Sequence, residues 1–159
     1  MQTINTVNTF ETVLNKHPFL AGLAPQFCDS LSNCACLRRF AARQQIFHEG
    51  GEADHFYLIV SGKVDLETFV PGCGMVTIQT LGDGDALGWS WLFPPHQWHF
   101  TATTREPTEV ISLNAAALRA QAEANRGLHD ELVTRVAKTL HQRLLGTREQ
   151  LIDLYGIRP

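Results

Sequence analysis

Hydrophobic periodicity divides the chain into three stretches. Up to about residue 40 the apolar positions suit short helices. His17-Pro18-Phe19-Leu20-Ala21-Gly22-Leu23 reads as a turn with apolar anchors. Pro25 suits the first turn of a helix, and Phe27, Leu31 and Cys34 give that helix an i, i+4, i+7 stripe able to face a core. From Phe40 the period shortens. Ile46-Phe47-His48 runs into a Gly50-Gly51 turn, residues 56–60 are a continuous apolar run of strand length, and Val64, Leu66 and Thr68 alternate with polar residues. Pro71-Gly72-Cys73-Gly74 turns the chain, Val76 and Ile78 alternate again, Gly82-Asp83-Gly84-Asp85 turns once more, and residues 101–113 carry two further strand-like runs. Short strands with Gly-rich turns at fairly even spacing indicate a sandwich, jelly roll or barrel.

The last stretch is helical again. Asn114 caps a helix through Ala115-Ala116-Ala117-Leu118, Gly127 punctuates, and a second helix is predicted over about 128–155. Leu128, Leu132, Val136, Leu140 and Leu144 recur every fourth residue; Thr147, Leu151 and Leu154 carry the stripe on, and Val133 and Ala137 widen it. At ~1.5 Å per residue such a helix reaches about 40 Å, more than one small domain needs to cover. A helix shared with a second copy is therefore favoured over one packed wholly on its own domain, with Leu132, Val136, Leu140, Leu144 and Leu151 as the dimer stripe.

The predicted fold is mainly β with flanking helices. An N-terminal helical segment (1–40) packs on an antiparallel jelly-roll barrel (41–113, a double-stranded β-helix), followed by C-terminal helices (114–159) that include a long dimerisation helix. All of this fits one domain at 159 residues. The formal net charge of -3 argues against a dominant nucleic-acid surface, which needs clustered Lys and Arg. Residues 2–8 are polar and give no secretory signal, and no apolar run is long enough to span a bilayer. A cytoplasmic protein is expected, with Cys28, Cys34, Cys36 and Cys73 as free thiols.

Several stretches together resemble one family. Residues 46–64 (Ile46-Phe47-His48-Glu49-Gly50-Gly51 through Ser61-Gly62-Lys63-Val64) are similar to the opening strands of the cyclic-nucleotide-binding domain. Leu81-Gly82-Asp83-Gly84-Asp85-Ala86-Leu87-Gly88 resembles that family's approach to its phosphate cassette, here about residues 84–104. Pro18 to Leu23 and Cys36-Leu37-Arg38-Arg39-Phe40 are similar too. Arg143-Leu144-Leu145-Gly146-Thr147-Arg148 resembles the dimer helix of the catabolite-activator (Crp/Fnr) branch. The resemblance implies a non-catalytic, homodimeric sensor or regulatory module of bacterial type. It also implies a Glu after the cassette glycine for the ribose hydroxyl, an Arg further on for the cyclic phosphate, and a Ser or Thr beside it.

This sequence differs at those positions. Trp89 follows Gly88, Trp98 and His99 stand where the Arg and its neighbour are expected, and no Arg occurs between Arg43 and Arg105. Thr147 matches the base-contacting position of the long helix. Charge-assisted hydrogen bonds contribute about 1.5–3 kcal/mol each, so losing two weakens cyclic AMP or cyclic GMP binding by roughly two to four orders of magnitude. The candidate ligand-binding residues are Gly88, Trp89, Ser90, Trp91, Trp98, His99, Phe100 and Thr101, in a segment that also holds Phe93 and contains all three tryptophans of the chain, and Thr147 on the long helix. They either fill the vacated pocket or line one retooled for a flatter, less charged ligand.

Other chemistry is thinly represented. Cys28, Cys34 and Cys36 lack the paired C-x-x-C spacing of zinc and iron–sulfur sites. His48, His55, His96 and His99 lack the His-x-His pattern of jelly-roll metal enzymes. No nucleophile elbow, Walker loop or paired-carboxylate signature is present. The expectation is no enzyme, no catalytic residue, no metal and no cofactor, cyclic nucleotide being the one small molecule the resemblance offers. The expected partners are a second copy and an unidentified small molecule or protein. Neither membrane nor direct DNA binding is expected, because only four residues follow Tyr155 and a helix-turn-helix needs several tens. Three further readings stay open: an interaction domain with a filled pocket, a genuine cyclic-nucleotide receptor, and a metal or haem redox sensor.

Overall fold

The computed structural model describes residues 10–156; the polar stretch 2–8 lies outside them. Helix α1 (residues 10–16) leads through a 3-10 turn at Pro18–Leu20 into α2 (Pro25–Ser32). Eight strands follow: β1 (Ala35–Phe40), β2 (Gln45–Phe47), β3 (His55–Ser61), β4 (Val64–Val70), β5 (Gly74–Leu81), β6 (Ala86–Leu87), β7 (Thr101–Thr104) and β8 (Thr108–Asn114). Helices α3 (Ala115–Ala124) and α4 (Arg126–Tyr155) close the chain.

The strands form two four-stranded sheets, β1-β8-β3-β6 and β2-β7-β4-β5, with every pairing antiparallel. That order is jelly-roll connectivity, realised as two facing sheets. Two apolar cores result. The first lies between the β1-β8-β3-β6 sheet and the helices and is centred on Phe56, Leu58, Ile111, Leu113, Trp91, Leu118, Leu128 and Leu132. The second lies between the sheets, where Phe47, Tyr57, Ile59, Val64, Leu66, Leu87, Trp98 and Val110 meet. Strand β3 is buried on both faces, Phe56 and Leu58 on one side and Tyr57 and Ile59 on the other. A continuous apolar run is the expected signature of such a strand.

The N-terminal helical segment ends earlier than the sequence suggested. α2 stops at Ser32, Asn33 caps it, and residues 35–40 are strand β1. β1 is an edge strand paired only with β8, and of its residues only Phe40 is buried. It carries no alternation by which a strand could be read. Ile78 is exposed, although β5 alternates in sequence. A register shift opposite Leu66 and Glu67 re-aims the strand. The Asn114 cap forms as expected, its side chain accepting the Ala117 N–H at 2.9 Å.

His17 ties the N-terminal turn to the sheet. It is buried, its Nε2 lies 2.9 Å from the Ile59 carbonyl, and its Nδ1 accepts the Phe19 N–H at 3.2 Å. A ring donating from Nε2 and accepting at Nδ1 is neutral. Burial lowers its pKa from 6.5, opposed in part by the hydrogen bond to Ile59 and by Asp85. The unfolded chain therefore takes up a proton near pH 6.5 that the native chain resists, so this contribution to stability is present above that pH and is lost as pH falls. We expect the urea midpoint to drop between pH 7.5 and pH 5.5, and His17→Gln to drop less; equal pH slopes would refute the assignment.

Candidate functional site

The connection from β6 to β7, residues 88–100, passes from one sheet to the other and contributes side chains to both cores. It begins at Gly88, whose φ of +86° is a conformation that favours glycine. A Cβ there would lie 2.7 Å from Cζ3 of Trp98, so the tryptophan ring rests directly on the glycine. A 3-10 turn at Trp89–Leu92 follows, then an extended Phe93. The segment returns beside the Gly50-Gly51 turn. There the Trp98 N–H donates to the Gly51 carbonyl at 2.9 Å, and the Gly50 N–H donates to the Trp98 carbonyl at 2.8 Å.

The three tryptophans separate. Trp91 is fully buried in the first core, 5.7 Å from the Phe56 ring, and its carbonyl accepts Arg119 Nη1 at 2.8 Å. It does not face the pocket. Trp98 turns into the second core and stacks on Phe47 with centroids 3.8 Å apart and planes 12° apart. Trp89 is half-buried and lies beneath a cation.

What remains open is a cavity of about 50 Å³ lined by Phe47, Leu66, Leu87, Gly88, Trp89, Ser90, Trp98, His99, Phe100 and Arg143. Pockets that take drug-sized ligands span about 300–1,000 Å³; this space holds a few water-sized atoms. Of the candidate residues, Gly88, Trp89, Ser90, Trp98, His99 and Phe100 come together here. Thr101 does not line the cavity; its Oγ1 accepts the Glu49 N–H at 3.0 Å. Thr147 is exposed on α4, its hydroxyl donating to the Arg143 carbonyl at 2.9 Å.

The cation is Arg143, which the sequence reading used only as part of a helix resemblance. It reaches in from α4, with its guanidinium carbon 4.1 Å from the Trp89 ring centroid and Nη2 donating to the Ala86 carbonyl. Its Nη1 is buried with no hydrogen-bond partner. Burial pushes the guanidinium pKa down to about 10, and Asp85 opposes the shift only in part, so the group stays charged at neutral pH. Asp85 is exposed and accepts the Gly82 N–H through Oδ2. The signal was available: Arg143 stands seven residues after Val136, on the stripe that faces the fold.

That stripe is one of two on α4. Leu128, Leu132 and Val136 are buried in the chain's own first core, so Leu132 and Val136 are not available to a second copy. Arg135 adds a tether to the Ala21 carbonyl at 2.8 Å and pairs with Glu131 one turn back. A second stripe, Val133, Ala137, Leu140, Leu144, Thr147, Leu151 and Leu154, recurs at alternating fours and threes and is exposed throughout. Leu144 is 67% exposed, Leu151 51% and Leu154 82%.

The thiols are dispersed, with Cys28 buried, Cys34 half-buried, and Cys36 and Cys73 exposed. Burial raises the pKa of Cys28 and of Cys34, which disfavours their thiolates. Among the described residues no three His, Cys, Asp or Glu side chains gather as metal ligands, and no helix is long and apolar enough to cross a membrane.

A jelly roll with a glycine-led cassette between its sheets and a long helix across the cassette is the architecture of a cyclic-nucleotide-binding-like regulatory domain. Residues 37–125 match the profile of the Cyclic nucleotide-binding domain, and the chain belongs to that family. It is 25% identical over 144 residues to the CRP-like cAMP-activated global transcriptional regulator of Mycobacterium tuberculosis, a match covering 91% of this chain and 62% of the relative. The chain thus spans about three fifths of that curated relative. The Thermus thermophilus catabolite activator protein superposes with a TM-score of 0.67 at 26% identity, over 87% of this chain and 63% of that one. A cyclic nucleotide-binding domain from Methylobacillus flagellatus, at 17% identity and a TM-score of 0.80, shares the fold over 91% of this chain and 84% of its own.

Proposed function

We propose that this chain is a homodimeric, non-catalytic sensor module whose cassette no longer takes an ordinary cyclic nucleotide and whose occupancy is transmitted through α4. The observation that carries the reading is the filled cassette. Trp98 sits against Gly88 and leaves about 50 Å³, far less than a nucleotide needs. Trp89 and Trp98 occupy the positions where the family resemblance places the Glu and Arg. The exposed stripe on α4 supports the dimer: residues spaced 4-3-4-3 form an a/d seam, and a run of exposed large apolar side chains marks an interface. Transmission has a short path, because Arg143 joins Trp89 and the Ala86 carbonyl to the helix between Leu140 and Leu144 of the exposed stripe.

A ligand can act through such a device only if it favours one arrangement of α4 over another. Thermal unfolding against cyclic AMP, cyclic GMP and a metabolite panel, followed by distance measurement between labels at the two α4 ends, tests the reading. We expect no shift with either nucleotide, but a shift of several degrees with at least one smaller ligand, which also alters the label distance. A well-folded dimer that no ligand stabilises would instead be an interaction domain with a permanently filled pocket.

A further inference from the structure

The first half of α4 borders an apolar groove of about 280 Å³. Four of the residues that line it, Val133, Val136, Ala137 and Leu140, stand at i, i+3, i+4 and i+7 of the helix. Four residues so placed form the hole into which a knob of a facing helix inserts in a coiled coil. Val136 is buried in the chain's own core, whereas Val133, Ala137 and Leu140 are exposed and open the 4-3 stripe. The remaining wall is not helix α4. It is Leu92 and Phe93, at the end of the 3-10 turn of the cassette. Phe93 is 49% exposed, although its N–H donates to the Ser90 carbonyl at 3.3 Å and its carbonyl accepts the His96 N–H at 2.8 Å. A large ring projected from a fixed turn costs little to order, which suits an interface anchor. His129, one turn before Val133, is the one polar residue that lines the groove.

We propose that α4 of a second copy seats in this groove and covers Phe93, so that the cassette turn of each protomer is part of the dimer interface. Continuity selects a second copy as the occupant: the hole is the first along the exposed stripe that runs on to Leu154. In a two-fold pair of parallel helices the knob that enters it is Ala137 of the partner subunit. So small a knob lets the helices approach closely and brings the second helix against Phe93. The proposal rests on the dimer reading above and adds a contact that the stripe alone does not make. A ligand that moves the turn then shifts one wall of the seat, so cassette occupancy and dimer strength affect one another by the same factor.

Hydroxyl-radical footprinting of the full chain tests the contact, because it reads side-chain exposure residue by residue. The wild-type protein is compared with the Leu144→Glu, Leu151→Glu double variant, whose substitutions lie outside the groove. We expect Phe93 labelling to be several-fold lower in the wild-type dimer than in the variant monomer, while Phe69, 61% exposed on β4, labels alike in both. Sedimentation of Phe93→Ala should show the dimer weakened by about 10- to 100-fold, the effect of uncovering half of a phenylalanine in each protomer. Should circular dichroism show that variant misfolded, the footprint alone decides. A dimer whose Phe93 labels as strongly as the monomer's overturns the groove contact and leaves the α4 seam standing. Protection of Phe69 in place of Phe93 puts the second copy on the β4-β5 hairpin and overturns the contact too. A wild type that sediments as a monomer at high micromolar concentration, or a dimer that survives both glutamates, overturns the contact and the dimer reading together.

Discussion

Trp91→Ala is expected to lower the unfolding free energy by about 3–5 kcal/mol, a large share of the roughly 5–15 kcal/mol that holds a typical domain folded. The residue has no exposed surface, packs against Phe56 and belongs to the core shared by the β1-β8-β3-β6 sheet, α3 and α4. Urea unfolding followed by circular dichroism measures the loss directly. Trp98→Ala should cost a comparable amount but with a different accompaniment, because this ring caps the cassette cavity over Gly88. That variant should enlarge the cavity and bind an apolar fluorescent probe that the wild type and Trp91→Ala in its folded state do not. A loss below about 1 kcal/mol for Trp91→Ala would mean that the cassette turn is not anchored in the core as described.

Leu144→Glu combined with Leu151→Glu should convert the protein to monomers without unfolding it. Both residues are exposed within the chain, so their replacement removes nothing from either core. In a two-fold dimer the pair of substitutions removes four leucines from the seam. At ~1.5–3 kcal/mol for each buried leucine, the dissociation constant should rise by about four orders of magnitude or more. Sedimentation velocity should show one species at twice the chain mass for the wild type and one at the chain mass for the variant, with unchanged circular dichroism. Leu132→Ala is the contrasting case. It lies in the chain's own core and should cost about 2–5 kcal/mol of stability rather than association. A dimer that survives both glutamates would place the interface elsewhere.

These two predictions turn on distinctions that the sequence hid. Leucines every four residues read as a single stripe on α4, yet a straight helix turns about 40° over four residues. The early members thus face the domain and the later ones face away. Only the burial of Leu128, Leu132 and Val136 in the first core shows where the inward stripe ends. The tryptophans were hidden for another reason. Residues 88–100 have no helical or strand period, so nothing in their order says which side chain turns to which core. Trp91 and Trp98 read alike and serve opposite sides of the sheet. Where period exists the sequence is explicit. β3, β4 and the Asn114 cap are legible; α4 starts two residues before the expected 128, takes Gly127 into its first turn and is capped by Asn125. β1 is not legible, because an exposed edge strand needs no apolar alternation.

Arg143 marks a further limit. The family resemblance places the cassette's cation along the cassette itself, between Arg43 and Arg105, whereas the structure brings one from α4 more than forty residues away from Trp98 in sequence. Trp89 gives the guanidinium an aromatic face, and Asp85 acts on it as a nearby negative charge.

Calorimetric titration of the wild-type protein with cyclic AMP tests the central claim most directly, because it reads the cassette without any substitution. The proposed loss of two charge-assisted contacts weakens binding by roughly two to four orders of magnitude relative to a site that keeps both, and a cavity of about 50 Å³ weakens it further. The account predicts no saturable heat at submillimolar nucleotide. Saturable binding of one cyclic AMP per chain at micromolar concentration would contradict it, and would require Trp98 to leave its place on Gly88.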